Sequence, residues 1–322
     1  MEGRNSIGDF LSKDLSISTL ETNFRASNEP NDTSDCDIKF QTMILLSLII
    51  SLFGMVLNAI VLWFLGFQIY KNAFFVYIFN LAVADIFFLL SQFVFCVLVI
   101  IYSIDSISHD ILSFLIFVPT FPYLSSLSIL TTISIECCLS VMWPIWYRCQ
   151  RPRHTSAVIC VLLWALSLMT AFLDQKACFL QFSDPHSIWC NTFDIILTVW
   201  TIVLFVVLCG SSLILLVRIF CGSQRIPMTR LYVTIELTVL FFLIFGLPFG
   251  IYWFLDLIKR HCDFYDEIIF LSCINSSVNP IIYFLVGSIT HRSRCKMKTL
   301  KLFLERAMQD TPEEDEGVES SS

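Results

Sequence analysis

Seven long apolar blocks, separated by short polar or proline-bearing stretches, constrain this chain more than any other feature. A helix needs about 20 consecutive apolar residues to cross the hydrocarbon core of a bilayer. The blocks near residues 42–67, 73–102, 110–142, 155–174, 192–220, 230–258 and 265–287 all meet that length. Those that exceed it are expected to tilt or to project beyond the bilayer. A transmembrane barrel would show period-two alternation in strands of about ten residues, and the blocks do not alternate. Of 322 residues, 56% are hydrophobic and 15% charged, whereas soluble domains are about a quarter charged. The expected fold class is therefore an all-α membrane protein, a seven-transmembrane-helix bundle.

Lysine and arginine placement sets the orientation. With the N-terminus outside, the inner segments hold thirteen of the 20 basic residues, among them Lys71, Arg148, Arg151, Arg153, Arg218 and the run from Arg292 to Arg306. Of the outer seven, Arg4, Lys13, Arg25 and Lys39 lie in the long N-terminal tail, where charge counts for less. Residues 1–41 form that tail. It is polar, with no apolar segment resembling a cleaved signal, and the first span is expected to direct insertion. Asn31-Asp32-Thr33 is an N-glycosylation acceptor there. Residues 42–287 form the bundle. Residues 288–309 read as an amphipathic helix on the inner surface, basic with Leu300, Phe303 and Leu304 on its apolar side, and Cys295 is a candidate for palmitoylation. Residues 310–322 are acidic, Ser-rich and expected to be disordered. The net charge of −7 comes from acids concentrated in the tails. It says little about a charged partner, and nucleic-acid binding has no support. The thirteen cysteines are too scattered for a disulfide scaffold, although those outside the membrane face an oxidising compartment. The sequence has no nucleophile–base spacing or metal motif, so an enzyme is not expected.

Polar groups inside spans are expensive and hence functional candidates. Asp85 lies mid-span, and Asn58 and Asn279 are also strongly polar. Their bland alternative is hydrogen-bonded glue between helices. Glu136 and Glu236 lie toward the inner ends of spans three and six, where reaching for the interface is the simpler reading. Asp174, Asp194 and Asp256 lie at the outer ends of spans four, five and six. They read either as interface anchors or as a negative funnel for a cationic ligand. Asp256 also has Lys259 and Arg260 at the spacing of ordinary helix pairs. Phe249, Tyr252 and Trp253 stand nearby for cation–π or stacking contacts. Pro248 and Pro280 interrupt spans six and seven, and a proline kink is a plausible joint.

At Asn279-Pro280-Ile281-Ile282-Tyr283 the chain resembles a rhodopsin-like G protein-coupled receptor. Gly54, Asn58, Leu81–Asp85, Trp164 and Pro248 fall in the order that family shows, and the resemblance covers roughly residues 42–306. It is closer still to the Mas-related branch, most like its rodent B-type and primate X-type members. That likeness is carried by Trp143-Pro144-Ile145-Trp146-Tyr147-Arg148-Cys149, Arg151-Pro152-Arg153-His154, Cys209-Gly210-Ser211-Ser212, Thr229-Arg230-Leu231-Tyr232, Gly246-Leu247-Pro248 and Asn279–Gly287. The resemblance implies a plasma-membrane receptor for cationic peptides or small amines, linked to itch, pain or mast-cell secretion and signalling through a heterotrimeric G protein. It implies that Asp174 and Asp194 hold the ligand's positive group; Asp256 is added from spacing, with Trp253 and Phe249 as aromatic neighbours. It implies an allosteric sodium ion at Asp85, with Ser126, Asn275 and Ser276 beside it, and no other cofactor. Switch positions would be Glu136, Cys137, Gly246, Pro248, Asn279, Pro280 and Tyr283. It also implies a Cys178–Cys190 disulfide across the loop between spans four and five, leaving Cys36 and Cys262 as a further outer pair.

One departure stands out. Relatives carry an arginine where this chain has Cys137, and a thiol neither holds a fixed charge nor makes forked hydrogen bonds. The inner lock around Glu136 must therefore be rebuilt or absent, and weak or altered coupling is expected. This keeps a second reading open, a signalling-poor scavenger or modulatory receptor. A transporter or channel is more distant, because the sequence has neither inverted repeats with paired broken helices nor a ring of charges for a filter.

Overall fold

The computed structural model describes residues 33–66, 73–102, 118–149, 151–152, 154–183, 189–221, 230–257 and 265–289. Several side chains at helix ends, including those of 33–38, 177–183, 189–191 and 253–257, fall outside this description. So do Asn31, Cys295, both tails, the 290–309 segment and the sulfurs of Cys36, Cys178, Cys190 and Cys262.

In chain order the helices are α1 (Thr33–Gly66), α2 (Ala73–Tyr102), α3 (Thr120–Met142), α4 (Pro144–Cys149), α5 (Thr155–Ser183), α6 (Trp189–Cys221), α7 (Arg230–Phe241), α8 (Leu247–Leu257) and α9 (Tyr265–Ile289). A π-helical turn over Phe242–Gly246 joins α7 to α8, and the three together form span six. Among the described residues, seven helices are long and apolar enough to cross a membrane. Span three starts later than its apolar block suggests. Val118 and Pro119 form a turn and the helix begins at Thr120, because a proline is best tolerated at a helix start. Spans four and five extend past their expected ends, to Ser183 and back to Trp189.

Burial assigns each span its place. Two-thirds of the span-three window (67%) is buried, against 17% for span four, so span three runs through the bundle and span four lies at its edge. Val161 and Leu162 on α5, and Val206 and Leu213 on α6, are exposed apolar residues, as expected of helix faces that meet lipid rather than water. α3 packs on α2, α5, α6 and α7, while α1 packs on α2 and α9. The main core gathers Tyr77, Leu81, Phe88, Leu127, Ile133, Leu208, Phe242 and Phe249.

Without a hydrophobic drive between helices in lipid, close packing and interhelical hydrogen bonds hold such a bundle. Asn58 Nδ2 donates to the Ser276 carbonyl at 2.9 Å and to its own Gly54 carbonyl at 3.0 Å, tying span one to span seven. Trp164 Nε1 donates to Asn80 Oδ1 at 3.0 Å, tying four to two. Ser134 and Ser211 hydroxyls meet at 2.7 Å, tying three to five.

Candidate functional site

Three clusters lie along the bundle axis. The first surrounds Asp85, which is fully buried. Asn279 Nδ2 donates to its Oδ2 at 2.7 Å, and the Ser126 hydroxyl donates to its Oδ1 at 3.3 Å. Ser276 faces the same carboxylate. Asn275 is buried too, but its side chain lies against Gly246 on span six, where an added Cβ would stand 3.1 Å from Asn275 Cγ. A carboxylate with two hydroxyls beside it is an oxygen-rich donor set that suits a small hard cation, so these residues fit a sodium ion. Tyr283 is buried one turn beyond Asn279, among Val61, Leu65, Phe75 and Ile78.

The second cluster belongs to span six. Leu247 N–H donates to Phe242 O, five residues back, which widens the helix by one residue just before Pro248 and leaves room at that turn. Tyr123 of α3 fills it. Its ring stacks on Phe242 at 6.2 Å and tilts against Phe249 at 4.9 Å, and its hydroxyl donates to the Gly246 carbonyl at 3.3 Å. A Cβ at Gly246 would lie 2.8 Å from the Phe242 ring, and one at Gly250 would lie 2.7 Å from the Tyr123 hydroxyl. Gly250 therefore admits the tyrosine, and Gly246 admits the Phe242 ring. Phe249 is buried against Phe88 and Tyr123. Tyr252 above it is half-buried, and the side chains of Trp253 and Asp256 are outside the description.

Asp174 and Asp194 lie on α5 and α6, which pack together. Asp174 is only 3% exposed, and Asp194 is half-buried. The start of α9 brings Asp266 and Glu267 to the same end, where Glu267 pairs with Lys39 of α1. These two acids were not singled out in the sequence, because carboxylates at a helix start read as ordinary complements to its dipole.

The third cluster occupies the opposite end of the bundle. Glu136, near the end of α3, is buried. Its Oε1 accepts from the Tyr77 hydroxyl at 3.0 Å and from Arg151 Nη2 at 2.7 Å. Arg151 also donates to the Ser156 hydroxyl at 2.8 Å, and its guanidinium lies 5.0 Å from the centre of the Tyr147 ring. Burial works to lower the Arg151 pKa, but the hydrogen bond to Glu136 and the surrounding negative charge more than offset it and hold the pKa above its ordinary value. Burial, then the Glu136 charge, push the Tyr147 hydroxyl well above the usual phenol range. Cys137 next door is fully buried in the main core and packs as a small hydrophobe. The lock around Glu136 is thus rebuilt, with its cation drawn from outside span three. Glu236 of α7 takes no part in this cluster.

A seven-helix bundle with a buried aspartate, a proline-bearing sixth span and an Asn-Pro-x-x-Tyr seventh span defines the rhodopsin-type receptors. Residues 58–283 match the family described as 7 transmembrane receptor (rhodopsin family). The chain is 62% identical to mouse Mas-related G-protein coupled receptor member B2, over 98% of this chain and 95% of that one. It is 57% identical to mouse member X2, over 100% and 93%, and 54% identical to human member X2, over 84% of each. The chain belongs to the Mas-related G protein-coupled receptors, and so is a multi-pass membrane receptor rather than an enzyme.

Proposed function

We propose that this receptor sits in the plasma membrane with its N-terminus outside and takes a cationic peptide or small amine at the Asp174–Asp194 mouth. The observation that carries the reading is Asp174, a carboxylate set into the side of the bundle on a helix that packs directly on the one bearing Asp194. A carboxylate held in so buried a setting attracts a positive charge more strongly than one in water. The aromatic pair of Phe249 and Tyr123 suits the ligand's apolar part. Binding favours one arrangement of span six over another, and the heterotrimeric G protein at the Glu136 end reads that shift. The expected physiological setting is itch, pain or mast-cell secretion.

A panel of basic peptides and amines applied to cells expressing the receptor tests the ligand class, with calcium as readout. Asp174→Ala and Asp194→Ala should each raise the half-maximal concentration about tenfold or more, the loss expected of a charge-assisted contact, at unchanged surface level. Responses to cationic ligands that survive both changes intact would refute the assignment. Cys137 favours a second reading, a receptor that captures ligand while signalling poorly. Ligand uptake without any second messenger would distinguish it.

A further inference from the structure

Span three buries the Glu136 carboxylate beside a thiol, Cys137, that cannot balance its charge. From the geometry we infer that Arg151, in the connection between α4 and α5, is a positioning residue for coupling. It pairs with Glu136 in place of a span-three cation, clamps α4 against spans two and three while the receptor rests, and lets go when the receptor signals. The inference rests on the receptor reading above.

Four elements meet at this pair. Glu136 comes from α3, Tyr77 from α2 and Ser156 from the start of α5, and Tyr147 of α4 lies beneath the guanidinium. Tyr147 also stacks on Phe74 of α2 at 6.4 Å. The Arg151 and Glu136 side chains are 8% and 7% exposed, so this is a buried ion pair rather than a surface one. Such a pair comes near to breaking even against its desolvation cost, yet removing one partner strands the other charge and is strongly unfavourable. It is therefore stable closed, with both charges matched, or open, with both hydrated at the end of the bundle, and poor between. Two discrete arrangements of similar energy are what a switch requires.

The location of the cation permits the second arrangement. Arg151 is in a bend and Pro152 lies outside any helix, so the guanidinium can leave without unwinding a span. An arginine on α3 itself would be bound to that helix's own movement. The pair is also one-sided: Tyr77 and Arg151 both donate to Oε1 rather than to Oε2. The carboxylate thus keeps acceptor capacity for water once the clamp loosens. α4 would be released with it. Its Ile145 is 80% exposed and Trp146 is exposed beside it, so among the described residues little packs on that side of the short helix.

The test uses the full-length receptor in cell membranes at matched surface expression. Ligand-independent nucleotide exchange on the G protein is measured for wild type, Arg151→Gln, Arg151→Lys, Glu136→Gln, the Glu136→Arg/Arg151→Glu exchange and Cys137→Arg. Arg151→Gln and Glu136→Gln should each raise basal exchange by about fivefold or more, the lower end of ordinary coupling energies. Arg151→Lys should fall between Arg151→Gln and wild type, because one ammonium replaces a fork. The charge exchange should return basal exchange toward wild type. A purely structural role would lower surface level and exchange together and would not raise activity per receptor. Basal exchange in Arg151→Gln at or below wild type, while Cys137→Arg shows that the chain couples, would overturn the clamp. If no variant activates any G protein, the receptor reading itself fails. The clamp is then judged by thermal unfolding of the solubilised receptor across Arg151→Gln, Glu136→Gln and their combination. Additive losses would overturn it, and a double variant no worse than the worse single would uphold it.

Discussion

Gly54 faces both span two and span seven. A Cβ there would stand 2.8 Å from Leu89 Cδ1 and 2.9 Å from Ser277 Cβ, and the Ser277 hydroxyl is already bonded to the Cys273 carbonyl at 2.7 Å. Gly54→Ala should therefore cost about 1–3 kcal/mol, the usual penalty for overpacking. The loss should appear as a lower unfolding temperature in detergent, and Ser277→Gly should recover part of it. No change in Gly54→Ala would mean the helices part more readily than the packing implies. Asp85 carries a second test at this scale. If sodium sits there and favours the resting packing, replacing sodium chloride with choline chloride should raise agonist affinity in wild type but not in Asp85→Asn. A wild type indifferent to the salt would dismiss the ion. Asp85, Asn58 and Asn279 were legible in the sequence because a polar group inside an apolar run has few innocent explanations. Arg151 was not, because a charge in a loop ordinarily finds water and carries no sign of burial. Ser277, as the neighbour of Gly54, was equally hidden by its distance along the chain.

Span six shows what a single element reveals and conceals. Pro248 interrupts the span, and just before it lies a π-helical turn that a tyrosine from another span bonds to. A widened turn leaves no mark on hydropathy, since one extra residue per turn keeps the block apolar throughout. Gly250 leaves the space that Tyr123 fills, and no local pattern connects the two residues. Tyr123→Phe removes the bond to the Gly246 carbonyl and should cost about 1 kcal/mol of stability. Gly250→Ala pushes the same hydroxyl aside, so the two changes should be less than additive. Thermal unfolding of the two singles and the double tests this, and strict additivity would mean that the hydroxyl and the glycine act independently. The ends of the helices were also partly misjudged from sequence. α3 starts at Thr120 because Pro119 sets its first turn, whereas hydropathy continues upstream without a break.

At the scale of the whole molecule, the count of spans and their order were fully legible, because bilayer thickness leaves only one reading of seven such blocks. Which span lies inside the bundle was not, since spans three and four are both apolar and differ only in what they face. The orientation proposed from basic residues is open to a direct check. An N-terminal epitope should stain intact cells, a C-terminal one only permeabilised cells, and Asn31→Gln should abolish a glycosidase-sensitive shift in gel mobility. The reverse staining pattern would turn the whole assignment of ends upside down. The buried pair between Glu136 and Arg151 has one further consequence. Because the cation arrives through a connecting segment, the length of chain from Met142 to Thr155 becomes a measured distance rather than a spacer. A residue inserted or deleted there would pull the guanidinium out of register with its carboxylate, making this short link intolerant of the length variation that loops usually absorb.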